Sequence, residues 1–201
     1  MSDNGVAIID SGGANIASLR FALRRLNVDA VLTTDAKIIR NARRVILPGV
    51  GAAADAMRRL KRHRLDKLIP ELDQPVLGIC LGMQLLAEAS EEDSAECLGV
   101  FAGTVKKLSA SPDTPVPNTG WSQTSLVRQH PLLNGIDDGG YFYFVHSYAL
   151  PVSDYSLATA NHTGIFTAVL AHENFCATQF HPERSSVAGA RLLANFLALD
   201  L

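Results

Sequence analysis

Pro75-Val76-Leu77-Gly78-Ile79-Cys80-Leu81-Gly82-Met83-Gln84-Leu85-Leu86 decides how the rest of the chain is read. Val76, Leu77 and Ile79 form a short apolar run of the buried-strand type, and Met83, Leu85, Leu86, Ala87 and Glu88 predict a helix beginning just past Gly82. Cys80 therefore falls at a strand-to-helix corner. Gly78 and Gly82 flank it, and only side chains that small let the backbone turn sharply without striking neighbouring strands. Gly78-x-Cys80-x-Gly82 is thus a nucleophile elbow with sulfur in place of the serine oxygen. A thiol so placed points from the strand end into a crevice, with the first N–H groups of the helix beneath it favouring the thiolate. The N–H of Leu81 is placed to donate to an oxyanion. Burial in a core would account for a free cysteine, but core packing alone does not explain the paired glycines.

Upstream, Val6-Ala7-Ile8-Ile9-Asp10 reads as a strand that passes through Ser11-Gly12-Gly13 into a helix with apolar positions at Ile16, Leu19, Leu23 and Leu26. Gly12 and Gly13 lack the GxGxxG spacing of a dinucleotide site, and a tight turn explains them. Ala30–Thr34 and Arg44–Leu47 are the next two strands. Pro48-Gly49-Val50-Gly51 then makes a glycine-bearing loop, leading into a helix that runs to about Leu68. A loop at the carboxyl end of a strand exposes backbone N–H groups to the crevice where α/β proteins bind ligands, so this one can supply a second oxyanion donor.

Downstream, Ser90–Ser94 reads as an acidic surface loop and Gly99–Val105 as a strand. Pro112, Pro115 and Pro117 break regular structure before Asn118-Thr119-Gly120-Trp121. Trp121, the single tryptophan, fits core filling and interface exposure equally well. Tyr141–Tyr148 is a dense aromatic strand ending in polar groups. Strands follow at Ser156–Ala160, Phe166–Leu170 and Cys176–Phe180, and a closing amphipathic helix carries Val187, Leu192, Leu193, Phe196 and Leu197. The expected fold is α/β: one flavodoxin-like domain over residues 1–201, with a mostly parallel central sheet flanked by helices and additional antiparallel strands.

With 201 residues, 47% hydrophobic and 19% charged, the chain has the makeup of an ordinary globular protein. A formal net charge of −2 gives no electrostatic footprint for nucleic acid, and the basic run Arg58–Arg64 reads as a solvated helix face beside Asp66 and Glu71. The start Met1-Ser2-Asp3-Asn4 lacks a signal-peptide pattern and no apolar stretch exceeds strand length, so a cytoplasmic location is expected. Cys80, Cys97 and Cys176 show no CxxC spacing, which suggests neither a metal site nor a disulfide framework.

A cysteine nucleophile needs a base within hydrogen-bond reach and a third group to orient that base. His181-Pro182-Glu183 follows a strand and is stiffened by the fixed φ of proline. In that arrangement His181 takes the thiol proton and returns it to a leaving amine, while Glu183 fixes the tautomer and stabilises the imidazolium.

Taken together, the elbow, the Pro48–Gly51 loop and His181-Pro182-Glu183 resemble the class I (triad-type) glutamine amidotransferases over essentially the whole chain. Ile8-Ile9-Asp10 with Asn15, Leu47–Gly51, Gly120-Trp121, Tyr141–Tyr148 and Gln179–Ser185 look most like the branch that serves as glutaminase subunits of imidazole glycerol phosphate synthases. That resemblance implies attack of Cys80 on the side-chain amide of glutamine, an oxyanion held by N–H groups at Val50 and Leu81, and substrate contacts from Gly51, Gln84, Ser147 and Tyr148. It implies no cofactor and no metal. It also implies a separate (βα)8 cyclase subunit that receives the ammonia, with Asn15, Trp121 and His146 near the interface. The sequence departs from the branch at Ser11-Gly12-Gly13-Ala14, where Tyr-Gly-Met-Gly is frequent, and at Asn118-Thr119, where His-Met usually precedes Gly-Trp. Neither departure removes a triad group. A glutaminase of another pathway, an autonomous cysteine hydrolase and a non-enzymatic flavodoxin-like module are the competing readings.

Overall fold

The computed structural model describes residues 5–12, 16–112 and 114–200, so the expectation for Asn15 lies outside the described residues. In chain order the strands and α-helices are β1 Val6–Ile9, α1 Ile16–Arg25, β2 Ala30–Thr33, α2 Ala36–Asn41, β3 Arg44–Gly49, α3 Ala53–Arg62, α4 Leu65–Leu68, β4 Val76–Cys80 and α5 Leu81–Leu85. Then come β5 Ala87–Ser90, β6 Ala95–Glu96, β7 Phe101–Lys107, β8 Asn118–Leu126, β9 Tyr141–His146, β10 Tyr148–Ala149, β11 Ser156–Asn161, β12 Ile165–His172, β13 Phe175–Thr178 and α6 Ser186–Ala198.

One nine-stranded sheet runs in the order β2-β1-β3-β4-β13-β12-β11-β8-β9. Its first five strands are mutually parallel, and from β13 outward every pairing is antiparallel. The expected parallel sheet and additional antiparallel strands are thus joined in one mixed sheet. β1, β3, β4 and β13 are buried along their whole length, as strands covered by helices on both faces must be. Alternate residues supply two separate cores. Ile8, Ile46, Leu77 and Ile79 pack with Leu19, Leu23, Phe142, Phe144, Leu192 and Phe196 on the side of α1 and α6. Ala7, Ile9, Val45, Leu47 and Val76 pack with Met57, Leu60, Leu65, Met83, Leu85 and Phe101 on the other.

Several sequence expectations change. The helix after Cys80 ends at Leu85, and Ala87–Ser90 form β5, which pairs with β7 in a small second sheet of order β10-β7-β5-β6. The helix predicted to reach Leu68 breaks where Arg64 takes φ +57°, separating α3 from α4. Asn118–Trp121, which the proline-rich stretch leads into, is the start of a nine-residue strand. In α6, Leu192, Leu193 and Phe196 are buried while Val187 is exposed. Trp121 lies outside the core, 52% exposed.

The far end of the chain is tied back to β3 by a buried cation. Arg44 donates from Nε to the Phe196 carbonyl (3.2 Å), which also accepts the Leu199 N–H, and from Nη2 to the Leu199 carbonyl (2.7 Å) just past the end of α6. Burial lowers its pKa, and neighbouring Arg43 adds to the lowering while Asp200 opposes it.

Candidate active site

The carboxyl ends of β3, β4 and the chain just past β13 converge on one cleft of about 330 Å³, lined by Val50, Gly51, Cys80, Leu81, Gln84, Glu92, Pro117, Val145, His146, Ser147, Tyr148 and His181. Register explains the convergence. β13 pairs with β4 in parallel, Thr178 opposite Ile79, so the residues that follow the two strands emerge side by side. A 101-residue separation between Cys80 and His181 is thereby closed, and both side chains line one cleft, near enough for the Cys80 sulfur to raise the His181 pKa.

Cys80 adopts φ +54° and ψ −111°, a strained backbone for a non-glycine residue and the conformation that a nucleophile elbow demands. The strain is held by packing. A Cβ on Gly82 would collide with the Leu47 carbonyl oxygen, and one on Gly78 would lie 3.0 Å from the Gly82 backbone. The corner is therefore pressed against β3. The Cys80 side chain, 5% exposed as a residue, donates weakly to the Val145 carbonyl at 3.6 Å and accepts from the Gln179 amide at 3.9 Å.

His181 is clamped from several sides. Its N–H donates to the Tyr143 carbonyl (2.9 Å), and its own carbonyl accepts from Ser185 Oγ (2.7 Å), which in turn accepts from the Tyr143 N–H (2.9 Å). Phe180 stacks on Phe142 (centroids 4.0 Å apart) and meets Phe144 edge-on, anchoring the turn in the core. Pro182 is held by α6, since any side chain on Gly189 would strike the Pro182 carbonyl.

The ring of His181 donates from Nδ1 to Glu183 Oε1 at 2.9 Å, which leaves Nε2 for Cys80. Burial opposes a charged ring here, but the hydrogen bonds to Cys80 and Glu183, with their charges, prevail and push its pKa up to about 10. His181 thus holds a proton through neutral pH, as a group must that will protonate a leaving nitrogen. The Glu183 side chain is 5% exposed, and its Oε2 is a buried acceptor without a hydrogen bond. That arrangement is costly for a carboxylate and directs its negative charge at the imidazole.

Val50 and Gly51 lie just beyond the last ladder pair of β3, Gly49 opposite Cys80. Gly51 has φ +89°. Ser11, at the end of β1, donates from Oγ to the Pro48 carbonyl at 2.6 Å and ties the root of this loop. Leu81 occupies the first position of α5.

The residues expected to bind substrate line the cleft: Gly51, Gln84, Ser147 and Tyr148. Gln84 donates from Nε2 both to the Tyr148 carbonyl (2.8 Å) and to Gln179 Oε1 (3.1 Å). Of the two interface expectations that fall on described residues, Trp121 is exposed and His146 is not. His146 is 6% exposed and lines the cleft, with Nδ1 2.9 Å from the Tyr148 carbonyl and Nε2 3.1 Å from Asn118 Nδ2. Since the carbonyl only accepts and the amide nitrogen only donates, the ring is neutral with its proton on Nδ1. Burial lowers its pKa to about 4, outweighing the Tyr148 contact, and His162 and His181 add to the lowering. The inward face of β9 carries Phe142, Phe144 and His146, while Tyr141 and Val145 face out.

Glu92 escapes a reading by sequence. It belongs to the segment expected as an acidic surface loop, yet it lines the cleft and its Oε2 accepts the Ala53 N–H at 2.8 Å. Ala52, the N-cap of α3, has no side-chain acceptor, so a carboxylate 39 residues away caps the helix in its place. Burial raises the Glu92 pKa, with the Ala53 bond opposing and Asp93 adding. Gln179 and Asn118 likewise carry no local pattern that marks a role for them. Cys97 and Cys176 are away from the cleft lining, and burial pushes their thiol pKa values up to about 11 and about 12. Among the described residues no cluster of His, Cys, Asp or Glu is arranged to hold a metal ion, and no helix is long and apolar enough to cross a membrane.

Comparison with known proteins agrees with this geometry. The family model for class-I glutamine amidotransferases matches residues 7–199. The imidazole glycerol phosphate synthase subunit HisH of Xanthomonas axonopodis pv. citri is 50% identical over 195 residues, covering 97% of this chain and 98% of its own. The protein of the same name from Xylella fastidiosa (strain Temecula1) is 48% identical with the same coverage. Among solved structures, a glutamine amidotransferase from Thermotoga maritima superposes with a TM-score of 0.66 at 17% identity, over 98% of this chain and 83% of that one, a likeness of fold.

Proposed function

Because the chain belongs to the class-I glutamine amidotransferase family, we propose that it is the glutaminase subunit of an imidazole glycerol phosphate synthase and serves histidine biosynthesis. The observation that carries the reaction is that Cys80 and an imidazole held by Glu183 line the same cleft, which is sized for a small substrate.

Cys80 Sγ attacks the side-chain carbonyl carbon of glutamine, and the carbonyl π electrons move to oxygen. That oxyanion is received by N–H groups at Leu81 and Val50. When it collapses, the C–N bond breaks, the leaving nitrogen takes the proton held on His181, and ammonia departs from a γ-glutamyl thioester. His181, now neutral, deprotonates a water that hydrolyses the thioester, releasing glutamate and returning the proton to the ring. Glu92 faces the cleft with one carboxylate oxygen engaged by Ala53, and it provides the negative charge that a substrate α-ammonium requires. Gly51, Ser147 and Tyr148 complete the substrate contacts. Gln84, with both amide hydrogens committed to protein acceptors, offers substrate its oxygen.

The ammonia acceptor is a cyclase subunit of the (βα)8 type, and the docking surface for it lies on β8 and β9. Trp121 is exposed and meets Tyr143 edge-on at 6.1 Å, and the Arg184 guanidinium covers the same tyrosine at 4.5 Å. Val145 is also exposed there, and its carbonyl receives the Cys80 thiol. Aromatic and arginine side chains grouped in this way are those that anchor protein interfaces. The test is glutamine-driven synthesis by the chain mixed with its cyclase, compared with either protein alone. Product formed from glutamine only in the mixture supports the reading; glutamine turnover with no coupling to any cyclase removes it.

A further inference from the structure

Gln179 is completely buried, sits between the end of β13 and His181, and takes no part in the proton transfers described above. Its backbone N–H is used by the Ala168 carbonyl at 2.9 Å, so the strand fixes where the side chain starts. The amide spans two functional groups. Oε1 accepts from Gln84 Nε2 at 3.1 Å, and Nε2 lies 3.9 Å from Cys80 Sγ.

The orientation of both amides is dictated by chemistry. The Tyr148 carbonyl can only accept, so the Gln84 atom 2.8 Å from it is the nitrogen. That nitrogen has a second hydrogen, which requires an acceptor on Gln179 and turns the Gln179 NH2 toward the sulfur. Reversing Gln179 would set two donors against each other, and reversing Gln84 would set its oxygen against two acceptors, in a buried site with no bulk water to relieve the clash.

We propose that Gln179 is a positioning residue for the nucleophile, its amide donating to the Cys80 sulfur and kept in that orientation by Gln84 and the Tyr148 carbonyl. A donor of this kind stabilises sulfur carrying negative charge more than neutral sulfur, because hydrogen bonds to ions are about twice as strong as neutral ones. It also links the nucleophile to the substrate-binding wall, since Gln179 accepts from the same Gln84 nitrogen that donates to the Tyr148 carbonyl. The effect on turnover rests on the glutaminase reading; the effect on the thiol does not.

The test is the rate of iodoacetamide alkylation at Cys80 against pH, followed by mass spectrometry on the full chain for wild type, Gln179→Glu and Gln179→Leu. Loss of the donor is expected to move the half-maximal pH upward by about one unit in both variants, the size of a charged hydrogen bond expressed as a pKa shift. Profiles that coincide with wild type overturn the proposal, whatever the variants do to the melting temperature. If either variant fails to fold, the side-chain amide resonances of 15N-labelled wild type carry the test. The Gln179 signal is expected to titrate together with alkylation and to stop doing so in Cys80→Ala, and an indifferent signal overturns the proposal. For glutamine, kcat is expected to fall about tenfold with KM within about twofold. A shifted alkylation profile with no glutamine turnover even in wild type leaves the role of Gln179 standing and removes the glutaminase reading instead.

Discussion

The corner at Cys80 and the loop at Val50 stand at the ends of adjacent strands, yet their surroundings constrain them in different ways. At the corner, the space beside both glycines is occupied: Leu47 lies against Gly82, and Leu86 and the Gly82 backbone lie against Gly78. At the loop, Gly51 has a left-handed φ of +89° but nothing within 4 Å of where a side chain would go. The proposed nucleophile is thus fixed by packing, whereas the loop that carries Val50, the proposed second oxyanion donor, runs past the last ladder pair and is tied at its root by Ser11. A strained residue persists only where its neighbours leave no alternative, and a peptide with open space around it can reorient at small cost. On the proposed reading, the site joins a tightly packed nucleophile to an oxyanion donor whose loop has open space at Gly51, and that loop is where a docked cyclase would act.

The largest expected effect tests the fixed half. Cys80→Ala is expected to reduce glutamate release from glutamine by at least about a thousandfold while ammonia-driven synthesis by the assembled enzyme continues. Retained glutamine turnover would show that the corner is structural. Next, alanine at the two glycines separates the halves directly. Gly82→Ala forces a methyl into the Leu47 carbonyl and is expected to cost about 3 kcal/mol or more in a urea melt. Gly51→Ala is expected to cost only about 1 kcal/mol, for its backbone sign, while slowing glutamine hydrolysis about tenfold or more. Equal destabilisation by the two would erase the distinction.

Smaller effects sharpen the picture. Trp121→Ala is expected to weaken binding to the cyclase about thirtyfold, measured by titration calorimetry, with the unassembled rate unchanged. Glu92→Gln is expected to raise KM for glutamine about tenfold with a modest change in kcat, since the carboxylate meets a part of the substrate remote from the bond that breaks. Glu183→Gln removes one of the groups that raise the His181 pKa, and the sign of its pH dependence follows from that. A raised pKa contributes stability that is complete below the unfolded value of 6.5 and fades as pH rises through about 10. The difference in unfolding free energy between wild type and Glu183→Gln is therefore expected to shrink across that window, and a difference that grows with pH would reverse the assignment.

The parts of the site legible in the sequence are those with a local physical signature. Paired glycines around a cysteine announce a tight corner, and Pro182 between two titratable residues announces a stiff turn, so the triad can be read before any fold is known. The buried strands of the parallel half are visible as continuous apolar runs. What escapes depends on contacts distant in sequence. Ala87–Ser90 continue a helical pattern but are drawn into β5 by pairing with β7. Glu92 is one acidic residue among several until the uncapped N-terminus of α3 captures it. The burial of His146 is legible, because the two-residue alternation through Tyr141–His146 sets it on the same face as Phe142 and Phe144. Trp121 cannot be assigned from sequence, since the strand that displays it begins inside a proline-rich stretch.

The central claim is that the sulfur of Cys80 carries the acyl group of glutamine while His181 moves the proton. Mixing the chain with glutamine, quenching in acid and mapping peptides by mass spectrometry tests it most directly. The account predicts a γ-glutamyl thioester on the peptide that contains Cys80, absent from Cys80→Ala and strongly depleted in His181→Ala. An adduct on Cys97 or Cys176, or rapid glutamine turnover in the Cys80→Ala protein, would contradict it.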